Sequence, residues 1–213
     1  MPIIQSEAGS LPNIKQTGGT PNNPAGFFGE MLLSRVNPDY YTLLKNGKVF
    51  TLSGTAANPT AFTGGAAGTP LLGFYNPNSS IDMVVLQLRA GIRTTGAAAV
   101  ATDFNWWGVS QGGVAVTGTQ TQARNMYTLA ASGSLIYGMV NTANTAALGS
   151  NLIAPSFSVG LTASTAITNV VSLFEDVRGA IVCAPGCYIA WGASVAPTSA
   201  SVDYSVIWAE CPA

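Results

Sequence analysis

The chain predicts an all-β fold, an antiparallel sandwich or barrel and most simply a two-sheet β-sandwich, with an extended N-terminal arm. Three observations carry that expectation. Residues 201–210 alternate strictly, with Val202, Tyr204, Val206 and Trp208 set between Ser201, Asp203, Ser205 and Ile207, the period of a half-buried strand. Short apolar runs recur between Pro-, Gly-, Asn- and Ser-rich turns, roughly ten strands at the spacing of a sandwich. Only residues 29–44 have any helical character.

Residues 1–28 hold Pro2, Pro12, Pro21 and Pro24 with four glycines and show no helical or strand period. They read as an extended arm. Ile3, Ile4, Leu11, Ile14, Phe27 and Phe28 are apolar anchors that suit docking on a neighbouring subunit, the alternative being a solvated terminus. Residues 29–213 form the sandwich domain. Asn37-Pro38 interrupts any helix near its start, and Asp39 stands where it can cap a short turn containing Tyr40, Tyr41, Leu43 and Leu44. Asn46-Gly47 is a turn signal, after which residues 48–53 alternate as a strand. Residues 55–69 read as a Gly/Ala/Thr loop or a poorly specified edge strand, with Phe62 the one large side chain.

Residues 70–75 (PLLGFY) form a compact strand closed by the turn at 76–80. The longest strand follows at 81–93, with Val84, Leu86, Leu88, Ala90 and Ile92 on one face and Gln87, Arg89 and Arg93 on the other. Phe104, Trp106, Trp107 and Val109 mark a central strand over 102–111. Residues 125–131, 134–140, 153–161 and 169–174 are further strands. The last two apolar runs before the terminal strand, 178–183 and 187–195, flank the connector Ala184-Pro185-Gly186.

Composition bounds the function. Charged residues make up only 8% of the chain, against roughly 25% in ordinary soluble domains. A surface so poor in charge suits burial against partners. Residues 138–172 contain no charge, and Leu148, Leu152, Ile153, Phe157 and Leu161 fall there too irregularly for one inner face. We expect some of them, with Phe157 and Leu161 the leading candidates, to lie between copies of the chain, in a trimer first and a dimer second. Net charge is −1 with eight scattered Lys and Arg, which leaves no footprint for nucleic acid. No run of about 18 apolar residues is present for a membrane span. The start, MPIIQSEAGS, lacks the pattern of a signal peptide, so cytoplasmic synthesis is expected.

Histidine is absent, which removes the usual general base and the commonest metal ligand together. Without it no Ser-His-Asp triad forms. The Gly64–Gly68 stretch lacks the Lys-Ser/Thr of a phosphate loop. Glu175-Asp176 beside Arg178 reads as a solvated turn or an intersubunit ion pair, and Asp82, Asp103 and Asp203 show no spacing that converges on a cleft. No enzyme activity, metal or cofactor is expected. Cys183 and Cys187 admit three readings: buried thiols, a disulfide across a tight hairpin that sets Ile181 against Ile189, or a poor metal site. Trp106-Trp107 is a candidate sugar-stacking platform with at most one ring exposed, since neighbours on a strand face opposite ways.

The pieces PLLGFYNPNSSIDMVVLQLRAG (70–91) and EDVRGAIVCAPGCYIAWGA (175–193), with a terminal strand ending Trp208-Ala209-Glu210, resemble jelly-roll capsid decoration (cement) proteins of tailed bacteriophages. This chain departs from that pattern in carrying Cys on both sides of the Pro-Gly turn. The resemblance implies a virion structural protein on the capsid exterior, whose partners are its own copies and the major capsid protein. A receptor- or carbohydrate-binding phage appendage on the same sandwich is the alternative, and a β-sandwich hydrolase the third reading.

Overall fold

The computed structural model describes residues 40–62, 69–94, 100–110, 116–131, 133–143, 151–161, 170–197 and 200–213. The chain divides into two units, 1–46 and 47–213. In the first, only the end is described: a one-turn helix α1 (Tyr41–Lys45). Its N-cap is Tyr40, in the left-handed region at φ 65° and without a side-chain cap. The expected cap Asp39 and the arm with all six of its apolar anchors lie outside the described residues. The second unit begins at Gly47.

Among its described residues that unit has ten strands: β1 (Val49–Ala57), β2 (Leu72–Tyr75), β3 (Ile81–Thr94), β4 (Val100–Ser110), β5 (Arg124–Asn125), β6 (Tyr137–Val140), β7 (Leu152–Leu161), β8 (Val170–Cys183), β9 (Cys187–Ala193) and β10 (Ala200–Pro212). Sheet one has the order β5-β1-β10-β3-β8 and sheet two the order β6-β2-β9-β4-β7. All pairings are antiparallel. β1 pairs with β10, β2 with β9, β3 with β8 and β4 with β7. The chain is thus one long hairpin with its closed end between β4 and β7. Rolling that hairpin brings β10 against β3 and β9 against β4, which is the jelly-roll arrangement of a sandwich. β5 and β6 belong to the excursion between β4 and β7, and they extend the two sheets beyond β1 and β2 on the same side.

The core lies between the sheets. Trp106, Trp191, Phe104 and Phe74 enter from sheet two, and Trp208, Tyr204 and Phe50 from sheet one. Phe104 and Trp191 stack at 4.9 Å between centroids, and Phe74 lies 5.4 Å from Trp208. Rings in these arrangements add to the area they bury. β10 keeps the predicted alternation, with Val202, Tyr204, Val206 and Trp208 all buried.

Several elements differ from expectation for identifiable reasons. In β3 the inward set is Met83 and Val85, then Leu86, Leu88, Ala90 and Ile92. Leu86 has no opposite number on either neighbour, because both ladders skip it. One unpaired residue reverses the facing of the strand, so Val84 lies on the outer face. β8 is one strand where two were expected. Residues 177–180 bulge opposite Leu86, with Arg178 at φ 49° and Gly179 at φ 82°, so the Glu175-Asp176 pair lies within a strand and not in a turn. β1 continues to Ala57 because β10 supplies its partners there, Thr55 facing Asp203 and Ala57 facing Ser201. The expected strand 125–131 is mostly a turn, in which the Asn125 side chain accepts from the Tyr127 and Thr128 backbone N–H groups at 2.9 and 3.1 Å.

Candidate functional site

The two stretches that carry the family resemblance meet in space. Asn76, fully buried, donates from Nδ2 to the carbonyls of Ile81 (2.6 Å) and Cys183 (2.9 Å). Its Oδ1 accepts from the Asn78 N–H at 3.1 Å. Its own N–H donates to Cys187, and its carbonyl accepts from Gly186 at 2.8 Å. Gly186, at φ 70°, takes a conformation that favours glycine. The arrangement satisfies five backbone groups where two connectors would otherwise bury them, which is structural work.

β8 belongs to sheet one and β9 to sheet two, so the hairpin register on which the disulfide reading depends does not occur. Val85, not a residue of β9, faces Ile181, and Phe74 and Gly108 flank Ile189. Cys183, Cys187 and Cys211 are free thiols. Cys183 Sγ lies 3.3 Å from the Cys187 carbonyl oxygen. Burial, with Cys187 close by, pushes the Cys183 thiol well above its ordinary range, so it stays a protonated and unreactive core group.

The carboxylates are engaged separately. Glu175 reaches across to sheet two, accepting from Trp106 Nε1 at 3.3 Å and from the Ser156 hydroxyl. Asp176 pairs with Arg178 on the surface. Glu210, buried, accepts from Ser134 Oγ at 2.6 Å and from the Leu135 N–H at 3.1 Å. Among the described residues no three His, Cys, Asp or Glu gather as a metal site, and no helix is long and apolar enough to cross a membrane.

The tryptophan platform is not present. Trp106 lies in the core, and Trp107, on the opposite face of sheet two, is only 8% exposed because Phe62 packs edge-on against it. A different surface takes the form of a binding site. On the outer face of sheet one the strand registers align two rungs across β1, β10, β3 and β8. Thr55, Asp203, Gly91 and Ser172 form one; Ser53, Ser205, Arg89 and Phe174 form the next. They line a trough of about 720 Å³. At one end the Arg89 guanidinium stands 5.5 Å over the Phe174 ring. At the other, Asp203 accepts from Thr55 Oγ1 at 2.7 Å and pairs with Arg93. These two hydrogen bonds, Thr55 first, hold the Asp203 carboxyl below its ordinary range. The outward position of Arg89 was legible from the alternation of β3. Its meeting with Phe174 was not, since β8 lies far along the chain.

The structure also sorts the expected contact residues. Phe157 is half-buried against the main core opposite Phe104, so its ring serves the monomer. Leu161 ends β7 opposite Val100, and its side chain lies outside the described residues, as does Leu148. Leu152 and Ile153 are exposed. The sequence shows no charge between Arg124 and Glu175. Seven of the ten exposed large apolar side chains among the described residues lie in that interval. Four of them, Tyr127, Leu129, Leu135 and Tyr137, belong to the β5–β6 excursion on one side of the sandwich. Comparison with family models, with curated proteins and with solved structures finds no match for this chain.

Proposed function

We propose that this protein is a non-enzymatic virion structural subunit that decorates and stabilises a phage capsid shell through contacts with its own copies and with the shell. The observation that carries this reading is the group of four exposed apolar side chains, Tyr127, Leu129, Leu135 and Tyr137, on the β5–β6 side, within a stretch of sequence that has no charge between Arg124 and Glu175. Apolar surface without interspersed charge favours association over solvation. Leu129 expresses the point most clearly. It is 71% exposed and sits at φ 59°, a conformation that costs a non-glycine residue about 1 kcal/mol or more. The isolated subunit gains nothing from leucine there, whereas a covered interface gains its full side chain. The jelly-roll sandwich and the resemblance of residues 70–91 and 175–193 to phage decoration proteins support the same role, since such sandwiches serve widely in viral capsids.

The test is co-sedimentation of purified chain with capsid shells that lack it, together with sedimentation velocity of the chain alone. The expected result is a homo-oligomer that saturates a fixed set of sites on the shell. A chain that is monomeric at micromolar concentration and pellets no better with shells than without them overturns the reading.

A further inference from the structure

We propose that the trough on the outer face of sheet one binds an acidic saccharide, a sugar carrying a carboxylate. The inference stands apart from the assembly role, since it concerns the face of β1, β10, β3 and β8 and not the β5–β6 side. It is a shallow, open trough of about 720 Å³, the form in which a sugar lies along a sheet and not one that encloses it. Its chemistry is mixed in the way a sugar requires. Phe174 keeps 56% of its surface exposed, an apolar ring for the C–H face of a pyranose. Ser53, Ser172 and Ser205 line the floor between the two ends, and serine hydroxyls both donate to and accept from sugar hydroxyls.

Charge decides the class of sugar. Asp203 and Arg93 neutralise each other at one end of the trough. Arg89 forms no ion pair among the described residues; it is held by the Phe174 ring and by Gln87 Oε1 at 3.5 Å. A guanidinium pre-oriented on an aromatic ring keeps edge N–H groups for a bidentate carboxylate. A neutral sugar leaves that cation without a counter-charge, whereas a uronic or sialic-type acid supplies one.

Gly91 gives the inference its cleanest test. It lies at the centre of the trough, and a Cβ built there meets nothing within 4 Å, so Gly91→Leu fills the floor without disturbing the core. The full-length protein is titrated calorimetrically with trigalacturonate, with neutral maltotriose and with inorganic phosphate. The expected result is saturable trigalacturonate binding at about 1 mM or tighter, weakened by added salt, with maltotriose and phosphate at least about tenfold weaker. Arg89→Gln and Gly91→Leu each lose about tenfold or more while melting like the parent. Absent saturation, equal binding of maltotriose or phosphate, or unchanged affinity in Gly91→Leu overturns the proposal. A Gly91→Leu chain whose oligomeric state changes also overturns it, because a second copy then occupies this face.

Discussion

Asn76 Nδ2 donates to the carbonyl oxygen of Cys183, 2.9 Å away, across a separation of 107 residues. That bond ties the turn entering β3 to the connector leaving β8, and the second amide hydrogen is spent on Ile81. Asn76→Ala removes the side-chain donor from the buried Cys183 carbonyl and the half-buried Ile81 carbonyl. The expected loss is about 3 kcal/mol, read as a lower denaturant midpoint with unchanged slope. Asn76→Asp is expected to cost more, since it places a carboxylate against the same carbonyl oxygens. Equal stability of wild type and Asn76→Ala would show that water serves both carbonyls.

Tyr204 makes the opposite case. Its hydroxyl is buried in the core and has no hydrogen-bond partner among the described residues. Tyr204→Phe removes that group and leaves the ring, so stability should hold or rise by up to about 1 kcal/mol. A drop of the size usual for a hydrogen-bonded tyrosine would reveal a partner in solution.

Alkaline stability follows from two buried groups. Burial raises the Cys183 thiol above its ordinary 9.0 and the Tyr204 phenol above its ordinary 10.0. Once pH exceeds those ordinary values, the unfolded chain releases protons that the folded chain keeps, so stability falls as pH rises. The thiol contributes from about pH 9.0 and the phenol joins it above 10.0, each with a limiting slope near 1.4 kcal/mol per pH unit. Well below pH 9.0 both groups are protonated in the folded and unfolded chain, and neither contributes a dependence. Thermal melts of Cys183→Ala/Tyr204→Phe should show a shallower alkaline decline than the parent. An identical decline in both would assign the effect to other groups.

Assembly and folding separate at two residues. Leu129→Asp exchanges an exposed apolar side chain for one that tolerates positive φ, so the monomer should melt unchanged while the oligomer weakens. Phe157→Asp places a charge against the main core and should lower monomer stability by about 3 kcal/mol or more. Sedimentation velocity and melts of both variants decide the matter. Loss of monomer stability in Leu129→Asp, with assembly intact, would assign that leucine to the fold.

The fold class was legible because alternation is local. A strand buried on one face must place apolar groups at every second residue, and β10 does so along most of its length. The turn residues at 76–80 and 184–186 were legible for the same reason, since Pro, Gly and Asn act on their own backbone. What the sequence determined by itself was therefore the set of strands, the breaks between them and the scarcity of charge. The tertiary structure decided everything that depends on a partner strand. Leu86 reverses the facing of β3 only because both neighbours skip it. Cys183 and Cys187 fall in different sheets because their connector crosses between them. Trp107 is buried because Phe62 reaches over it, and the Arg89–Phe174 end of the trough arises from the ladder of β3 with β8. Each of these is a pairing of residues remote in the chain, and such pairings are set by closure of the rolled hairpin, whose energy lies in the packed core and not in any single segment.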